Sequence, residues 1–510
     1  VLEHPDHKAH SLKMAQQSIV LLKNTANTLP LKKSSRKIAV VGPNADNSIA
    51  VLGNYNGTPS NVVTALQGIK NKLPNTEVVY EKAINFTNDT LLQYANVSNQ
   101  YSWQGQKGFQ AEYFNNRELQ GQPIAKRMEA DLDKFWQEGQ AVIDTLKAYN
   151  FSLRYTTDYT ATETGEITFE VDADDGYRFL VNGNEVINAW TRNRWGARTH
   201  KLSTEKGKTY RLVVEYFQGE GKANVRLKAG HFMKTDFTAL ANRLKDADAI
   251  VFVGGISPQL EGEEMRVDYP GFNGGDRTSI LLPTVQTALM KALKATGKPV
   301  VFVTMTGSAI AVPWEDQNIP AIVNAWYGGQ DAGTAIADVL FGDYNPSGRL
   351  PVTFYKNDKD LGDFNDYNMA NRTYRYFKGQ PLYGFGYGLS YTSFRYDGMK
   401  AAPANKMMNV TVNVTNSGKM DGEEVVQLYI LNRDKTIAAP IKALKGFQRV
   451  FLKAGETKAV KFTLTSEDLS VLDDNGNPKP LKNIILSVGG RQPDANTVKA
   501  KQTVQAVVRL

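Results

Sequence analysis

The chain has 510 residues, 41% apolar and 22% charged, a composition that excludes the disordered and fibrous classes and leaves room for roughly three domains. Its net charge of +8 comes from Lys and Arg interleaved with Asp and Glu, with no basic stripe, so no nucleic-acid partner is expected. No run of about 18 apolar residues exists, so no membrane-spanning helix is expected, and the absence of cysteine excludes disulfides, thiolate metal sites and a cysteine nucleophile.

In chain order, residues 8–23 place Leu12, Ala15, Ile19 and Leu22 at helical spacing, which predicts a helix. Lys37–Val41 is a short apolar run closed by Gly42-Pro43-Asn44, a buried strand and a turn. A phosphate loop is not expected there, because both GxGxxG and GxxxxGK[ST] are absent. From about 106 to 232 the text changes to alternating strands such as Phe151–Thr156, Glu166–Val171, Tyr177–Val181 and Thr209–Tyr216. Turn formers such as Asp174-Asp175-Gly176 and Asn182-Gly183-Asn184 separate them, which predicts an antiparallel β-sandwich. Buried runs return at Ala249–Val253, Pro299–Thr304 and Ala321–Trp326, with a helix at Pro283–Ala295. The fold class is therefore a doubly wound α/β domain interrupted by an all-β insert. A third region, from about 395, alternates apolar and polar residues at Met408–Asn416, Glu424–Leu431 and Ala459–Leu464, predicting a small sandwich with solvated outer faces.

The chemistry concentrates in Gly254–Pro283. A buried strand runs into Leu260-Glu261-Gly262-Glu263-Glu264-Met265-Arg266, followed by a glycine-rich stretch and Asp276-Arg277. Three carboxylates thus stand just beyond the carboxyl end of a parallel strand, the edge where open α/β sheets bind ligands. Clustered carboxyls raise one another's pKa, which suits a general acid. The alternative is a solvated acidic loop paired with arginine. Gly307-Ser308 also follows a strand but lacks the GxSxG of a nucleophile elbow, so a serine hydrolase is not expected. Five scattered histidines without HExxH spacing argue against a zinc hydrolase.

The segment resembles the acid/base loop of glycoside hydrolase family 3. The resemblance extends through Gln17-Ser18-Ile19-Val20-Leu21-Leu22-Lys23-Asn24, Ala39-Val40-Val41-Gly42-Pro43-Asn44-Ala45, Gly328-Gly329-Gln330-Asp331-Ala332-Gly333 and Asn345-Pro346-Ser347-Gly348-Arg349-Leu350-Pro351. It continues through Tyr383-Gly384-Phe385-Gly386-Tyr387-Gly388-Leu389-Ser390-Tyr391. It implies the family's C-terminal α/β-sandwich domain at 1–105 and 233–392. Leu444-Lys445-Gly446-Phe447 and Ala454-Gly455-Glu456-Thr457 resemble a fibronectin type III-like domain, at 393–510. Ala111-Glu112-Tyr113-Phe114 and Ala173-Asp174-Asp175-Gly176-Tyr177 resemble a protective-antigen-like β-sandwich, at 106–232.

The resemblance implies an exo-acting retaining β-glycosidase, without metal or organic cofactor, acting on an oligosaccharide or aryl glycoside. The acid/base is Glu261 by alignment of Gly-Gly-Ile-x-x-x-Leu-Glu with xylosidase-like members, and Glu263 by alignment on the Glu ahead of Asp276-Arg277. Asp276 and Arg277 are expected to contact substrate. Trp190 and Trp195 are attractive as stacking platforms, against simple burial in the sandwich. Tyr367-Asn368-Met369 and Arg372–Gly379 resemble the β-xylosidase branch more than the β-glucosidase branch. The nucleophile, an Asp on an N-terminal barrel, has no counterpart in these 510 residues. It is expected on a further stretch of the same polypeptide, which leaves this chain catalytically incomplete by itself. A periplasmic or secreted location and a homodimer are also expectations. The competing reading is a non-catalytic carbohydrate-binding accessory protein.

Overall fold

The computed structural model describes residues 3–191, 197–405, 407–434, 436–473, 475–500 and 502–510. The chain divides into two compact units, one made of the segments up to Asp89 and from Thr235 onward, the other of Thr90–Lys234.

The first unit is built on a six-stranded sheet. Its strands are β1 (Val20–Asn24), β2 (Lys37–Val41), β3 (Glu77–Glu81), β4 (Ala249–Gly255), β5 (Val300–Met305) and β6 (Ala321–Asn324). They lie in the order β1-β6-β5-β4-β2-β3. β1 is antiparallel to β6, and all other pairs are parallel. Both faces are covered, which is why these strands read as unbroken apolar runs. Val40, Val251, Val303 and Val323 pack on one face with helices α1 (Pro5–Ser18), α2 (Ala65–Lys72) and α6 (Ala332–Leu340). Val41, Phe252, Phe302 and Ile322 pack on the other with α3 (Phe237–Leu244) and α4 (Thr284–Ala295), and a short α5 (Pro313–Asn318) borders this face. Each such side chain contributes about 1.5–3 kcal/mol on full burial.

The helix expected over 8–23 ends at Ser18. Val20 and Leu22 enter one core and Leu21 the other. A segment that must bury both of its sides against two layers is a strand, and helical spacing alone does not reveal that demand.

The C-terminal sandwich has two sheets. Phe394–Ala404, Met407–Asn416 and Thr457–Leu464 form one. Ala443–Leu452, Gly422–Asn432, Asn483–Gly489 and Thr503–Arg509 form the other. The outer face of the second sheet is not solvated as expected. Gly422–Asn432 is buried on both sides. On that face Glu423 Oε2 accepts from Ser347 Oγ at 3.2 Å and Gln427 Nε2 donates to the Gly386 carbonyl at 3.0 Å, so it docks on the α/β domain. At the end of the same strand Glu424 meets Arg349 at 2.7 Å.

The second unit is antiparallel throughout, with Tyr155, Phe169, Tyr177, Phe179 and Tyr216 in its core. It begins at Thr90, earlier than the boundary read at 106. Thr90–Tyr94 pairs with Gly230–Lys234, and Tyr101–Trp103 contributes to the other sheet. These opening strands are short and partly polar, so they carry little of the alternation that marks the rest.

Candidate active site

The carboxyl edge of the sheet is fixed first by two buried amides. Asn44, just past β2, donates through Nδ2 to the carbonyls of Gly254 and Ile256, each at 3.0 Å. Gln286 of α4 accepts from Gly255 N at 2.8 Å and donates to the Gly255 carbonyl at 2.7 Å. The backbone leaving β4 therefore has its polar groups satisfied although it lies inside the protein. A turn follows, in which the amides of Leu260 and Glu261 donate to the Ser257 carbonyl. Further on, the loop folds into a small antiparallel sheet of Asp268–Tyr269, Phe272–Asn273 and Asp276–Arg277. Leu260, Val267 and Phe272 root it in the core.

Glu261 sits at the meeting of three strand ends. Its Oε1 accepts from Gly307 N at 2.8 Å and from the Tyr327 hydroxyl at 2.7 Å, and its Oε2 accepts from Ser308 Oγ at 2.9 Å. Gly307 and Ser308 follow β5, and Tyr327 follows β6. Arg277 Nη1 donates to Ser308 Oγ at 2.9 Å and to the Ala309 carbonyl at 2.7 Å. An ionised carboxylate only accepts, so three donors converging on it form a charge-assisted cluster. Burial pushes the Tyr327 hydroxyl well above the usual tyrosine range, and the adjacent Glu261 charge adds to this, so Tyr327 stays a donor. Burial lowers the Arg277 guanidinium from its ordinary value, and Glu261 opposes that effect. Its Nη2 is buried without a hydrogen-bond partner among the described residues.

Glu263 is placed differently. It is exposed, and its Oε2 accepts from the hydroxyl of Tyr55, itself 88% exposed. That bond raises the Tyr55 hydroxyl above its usual value. Glu264 is exposed in left-handed backbone, φ 48°. Asp276 is exposed on the last strand of the small sheet. The structure thus brings together Glu261 and Arg277 through Ser308, and leaves Glu263 and Asp276 outside that cluster. Trp190 belongs to the other unit, where it is half-buried between Arg178, 4.2 Å from its ring centre, and Phe217, edge-on at 5.1 Å. Trp195 lies outside the described residues.

Four participants were not singled out from sequence: Tyr55, Gly307 and Ser308 as Glu261 or Glu263 partners, and Tyr327. For Gly307, Ser308 and Tyr327 a signal existed. Gly307 and Ser308 follow β5, the parallel neighbour of β4, and Tyr327 follows β6, the next parallel strand, so all three had to emerge at the same edge.

The model of the glycosyl hydrolase family 3 C-terminal domain matches residues 19–391, and that of a fibronectin type III-like domain matches 424–479. The chain is 42% identical to a xylan 1,4-β-xylosidase of Xylanibacter ruminicola, over 93% of its own length and 56% of that protein's. It is 29% identical to a periplasmic β-glucosidase of Salmonella typhimurium, over 91% of its length and 46% of that protein's. In structure it is similar to a β-glucosidase from Kluyveromyces marxianus crystallised with glucose. The TM-score is 0.68 at 27% identity, covering 100% of this chain and 63% of that one. The chain thus spans about half the length of the curated relatives it matches. With the family model accounting for most of its residues, and the strand order and edge loop described above, the chain belongs to glycosyl hydrolase family 3.

Proposed function

We propose that the polypeptide is an exo-acting retaining β-glycosidase that removes terminal non-reducing β-D-xylosyl units, with β-D-glucosyl units as the second choice. The 42% identity to a xylan 1,4-β-xylosidase supports the sugar preference. The relatives' names are those of glycosidases, which disfavours the non-catalytic accessory reading.

The observation that carries the mechanism is the contrast between Glu261 and Glu263. Glu261 is half-buried and accepts from three donors, Gly307 N, Ser308 Oγ and the Tyr327 hydroxyl. Glu263 is exposed, with one hydroxyl partner. A general acid must deliver a proton outward and take one back, so Glu263 is the acid/base and Glu261 is a positioning residue for its loop. In the first step a carboxylate on the N-terminal barrel of the longer polypeptide attacks the anomeric carbon. The glycosidic C–O bond breaks, and the leaving oxygen takes the Glu263 proton. In the second, the Glu263 carboxylate removes a proton from water. That water displaces the enzyme's ester oxygen and releases the sugar with retained configuration. Arg277 holds Ser308 and so supports the Glu261 cluster. Export to the periplasm or beyond the cell belongs to the same reading, supported by the periplasmic Salmonella relative, and cell fractionation tests it.

The assignment is tested in the full-length polypeptide with xylobiose and with nitrophenyl β-xyloside. Glu263→Gln should lose about 10²–10⁴ in rate on xylobiose and far less on the nitrophenyl substrate, whose leaving group needs little acid assistance. Glu261→Gln should lose activity on both alike. The opposite pattern, leaving-group dependence at Glu261 alone, would exchange the two roles.

A further inference from the structure

Where the last stretch of the α/β domain meets the fibronectin type III-like sandwich lies a cavity of about 150 Å³ that shares no residue with the acid loop. One wall is aromatic: Tyr374 stacks on Phe385 with ring centres 4.0 Å apart, and Phe377 lies nearby. The opposite wall comes from the sandwich and contributes Lys442, Arg491, Gln492 and Asp494.

The polar groups of this wall are incompletely used. The Lys442 ammonium is half-buried, and its hydrogen bond is a 3.4 Å contact to the Pro493 carbonyl, at the outer limit of such a bond. Burial pulls its pKa below the ordinary lysine value, against the attraction of Asp494. Asp494 is already engaged, because its carboxylate accepts from Thr497 N at 2.8 Å. Arg491 lies 5.1 Å from the Tyr387 ring and donates to Gln502 Oε1, which leaves further guanidinium donors. Gln492 is 7% exposed, and its Oε1 is buried with no hydrogen-bond partner among the described residues. Two cations with one pre-engaged carboxylate favour an anion. A buried acceptor without a donor favours a hydroxyl on the same ligand. The flat aromatic wall suits the C–H face of a sugar ring.

We propose that this cavity binds a small sugar acid of the uronate class. Lys442 and Arg491 hold its carboxylate, and one of its hydroxyls donates to Gln492 Oε1. A free uronate or a uronate borne on a glycan offers the same chemistry. The site goes beyond the glycosidase reading and stands or falls separately from it.

The test is calorimetric titration of the full-length polypeptide in buffer saturated with xylose, so that a sugar site at the acid loop is already filled. D-glucuronate, methyl glucuronide and inorganic phosphate are titrated in turn. Both sugar acids, or D-glucuronate alone, should bind in the millimolar range or tighter. Binding of both points to a glycan-borne group, and binding of glucuronate alone to the free acid. Lys442→Met should weaken binding by about tenfold or more, and Gln492→Met by a few-fold. Arg491→Gln serves as the second charge variant should Lys442→Met fail to fold, as judged by its thermal transition. No glucuronate heat, phosphate binding as tight as glucuronate, or affinity unchanged in the charge variants would each overturn the proposal.

Discussion

Glu261 and Glu263 stand two residues apart in one loop and meet opposite surroundings. Glycine at 307 is part of the reason. A Cβ there would sit 2.8 Å from Glu261 Oε1 and 3.0 Å from the Tyr327 ring. Gly307→Ala should therefore displace the Glu261 carboxylate, lowering kcat with equal effect on good and poor leaving groups. Tyr327→Phe keeps the ring and removes one donor to the carboxylate. It should cost about 1.5–3 kcal/mol, read as a fall in the unfolding temperature, since hydrogen bonds to charged groups carry about that much. At this scale the sequence exposed the candidates but not their difference. The loop that carries the three carboxylates could be located from its place after β4. Which carboxylate is held depends on donors 46 and 66 residues further along the chain, and nothing local to Leu260–Met265 encodes them.

Among the elements, α2 and α6 come together glycine to glycine. A Cβ on Gly68 would lie 2.0 Å from the Gly333 carbonyl oxygen, and one on Gly333 would lie 1.9 Å from that of Thr64. The contacted atoms are backbone, so nothing can swing aside. Gly68→Ala should destabilise by about 1–3 kcal/mol or more in a chemical unfolding titration. An ionic network ties the same helices to their neighbours. Lys72 of α2 bridges Asp338 of α6 and Asp343, and Gln16 of α1 donates to Asp338 at 2.8 Å. Hydrogen bonds from Lys33 and Lys72 hold the Asp343 carboxyl below its usual range. A lowered folded-state value means stability present above the unfolded value and lost as pH falls through the folded one. Asp343→Asn should thus cost from a few tenths to about 1 kcal/mol at neutral pH, given its partial exposure. The gap from wild type should close in acid, as followed by calorimetry across pH. Strand and helix runs buried on a single logic were readable. The passage from α1 into β1 was not, because Val20-Leu21-Leu22 continues the helical spacing while serving two cores.

At the scale of the molecule, the α/β domain and the C-terminal sandwich are joined by a buried ion pair. Arg349 Nη2 meets Glu424 at 2.7 Å, both side chains under a tenth exposed, and Arg349 Nε donates to the Gly490 carbonyl at 3.2 Å. Removing one partner of such a pair strands the other. Arg349→Ala should cost about 3–5 kcal/mol. It should also split the unfolding of this unit into two transitions, the sandwich melting first. The sandwich's alternating strands predicted a solvated outer face. The outer-face residues that instead dock it, Glu423 and Gln427, are polar, so their alternation looks the same whether they meet water or protein.

The antiparallel pairing of Thr90–Tyr94 with Gly230–Lys234 has an architectural consequence. The first residue of one strand lies opposite the last of the other, and Thr235 N then donates to the Asp89 carbonyl at 2.8 Å. The chain therefore leaves for the second unit and returns from it through a single doorway. Its 145 residues are a detour with adjoining ends, so a gene can gain or lose them in one cut without rerouting the host sheet.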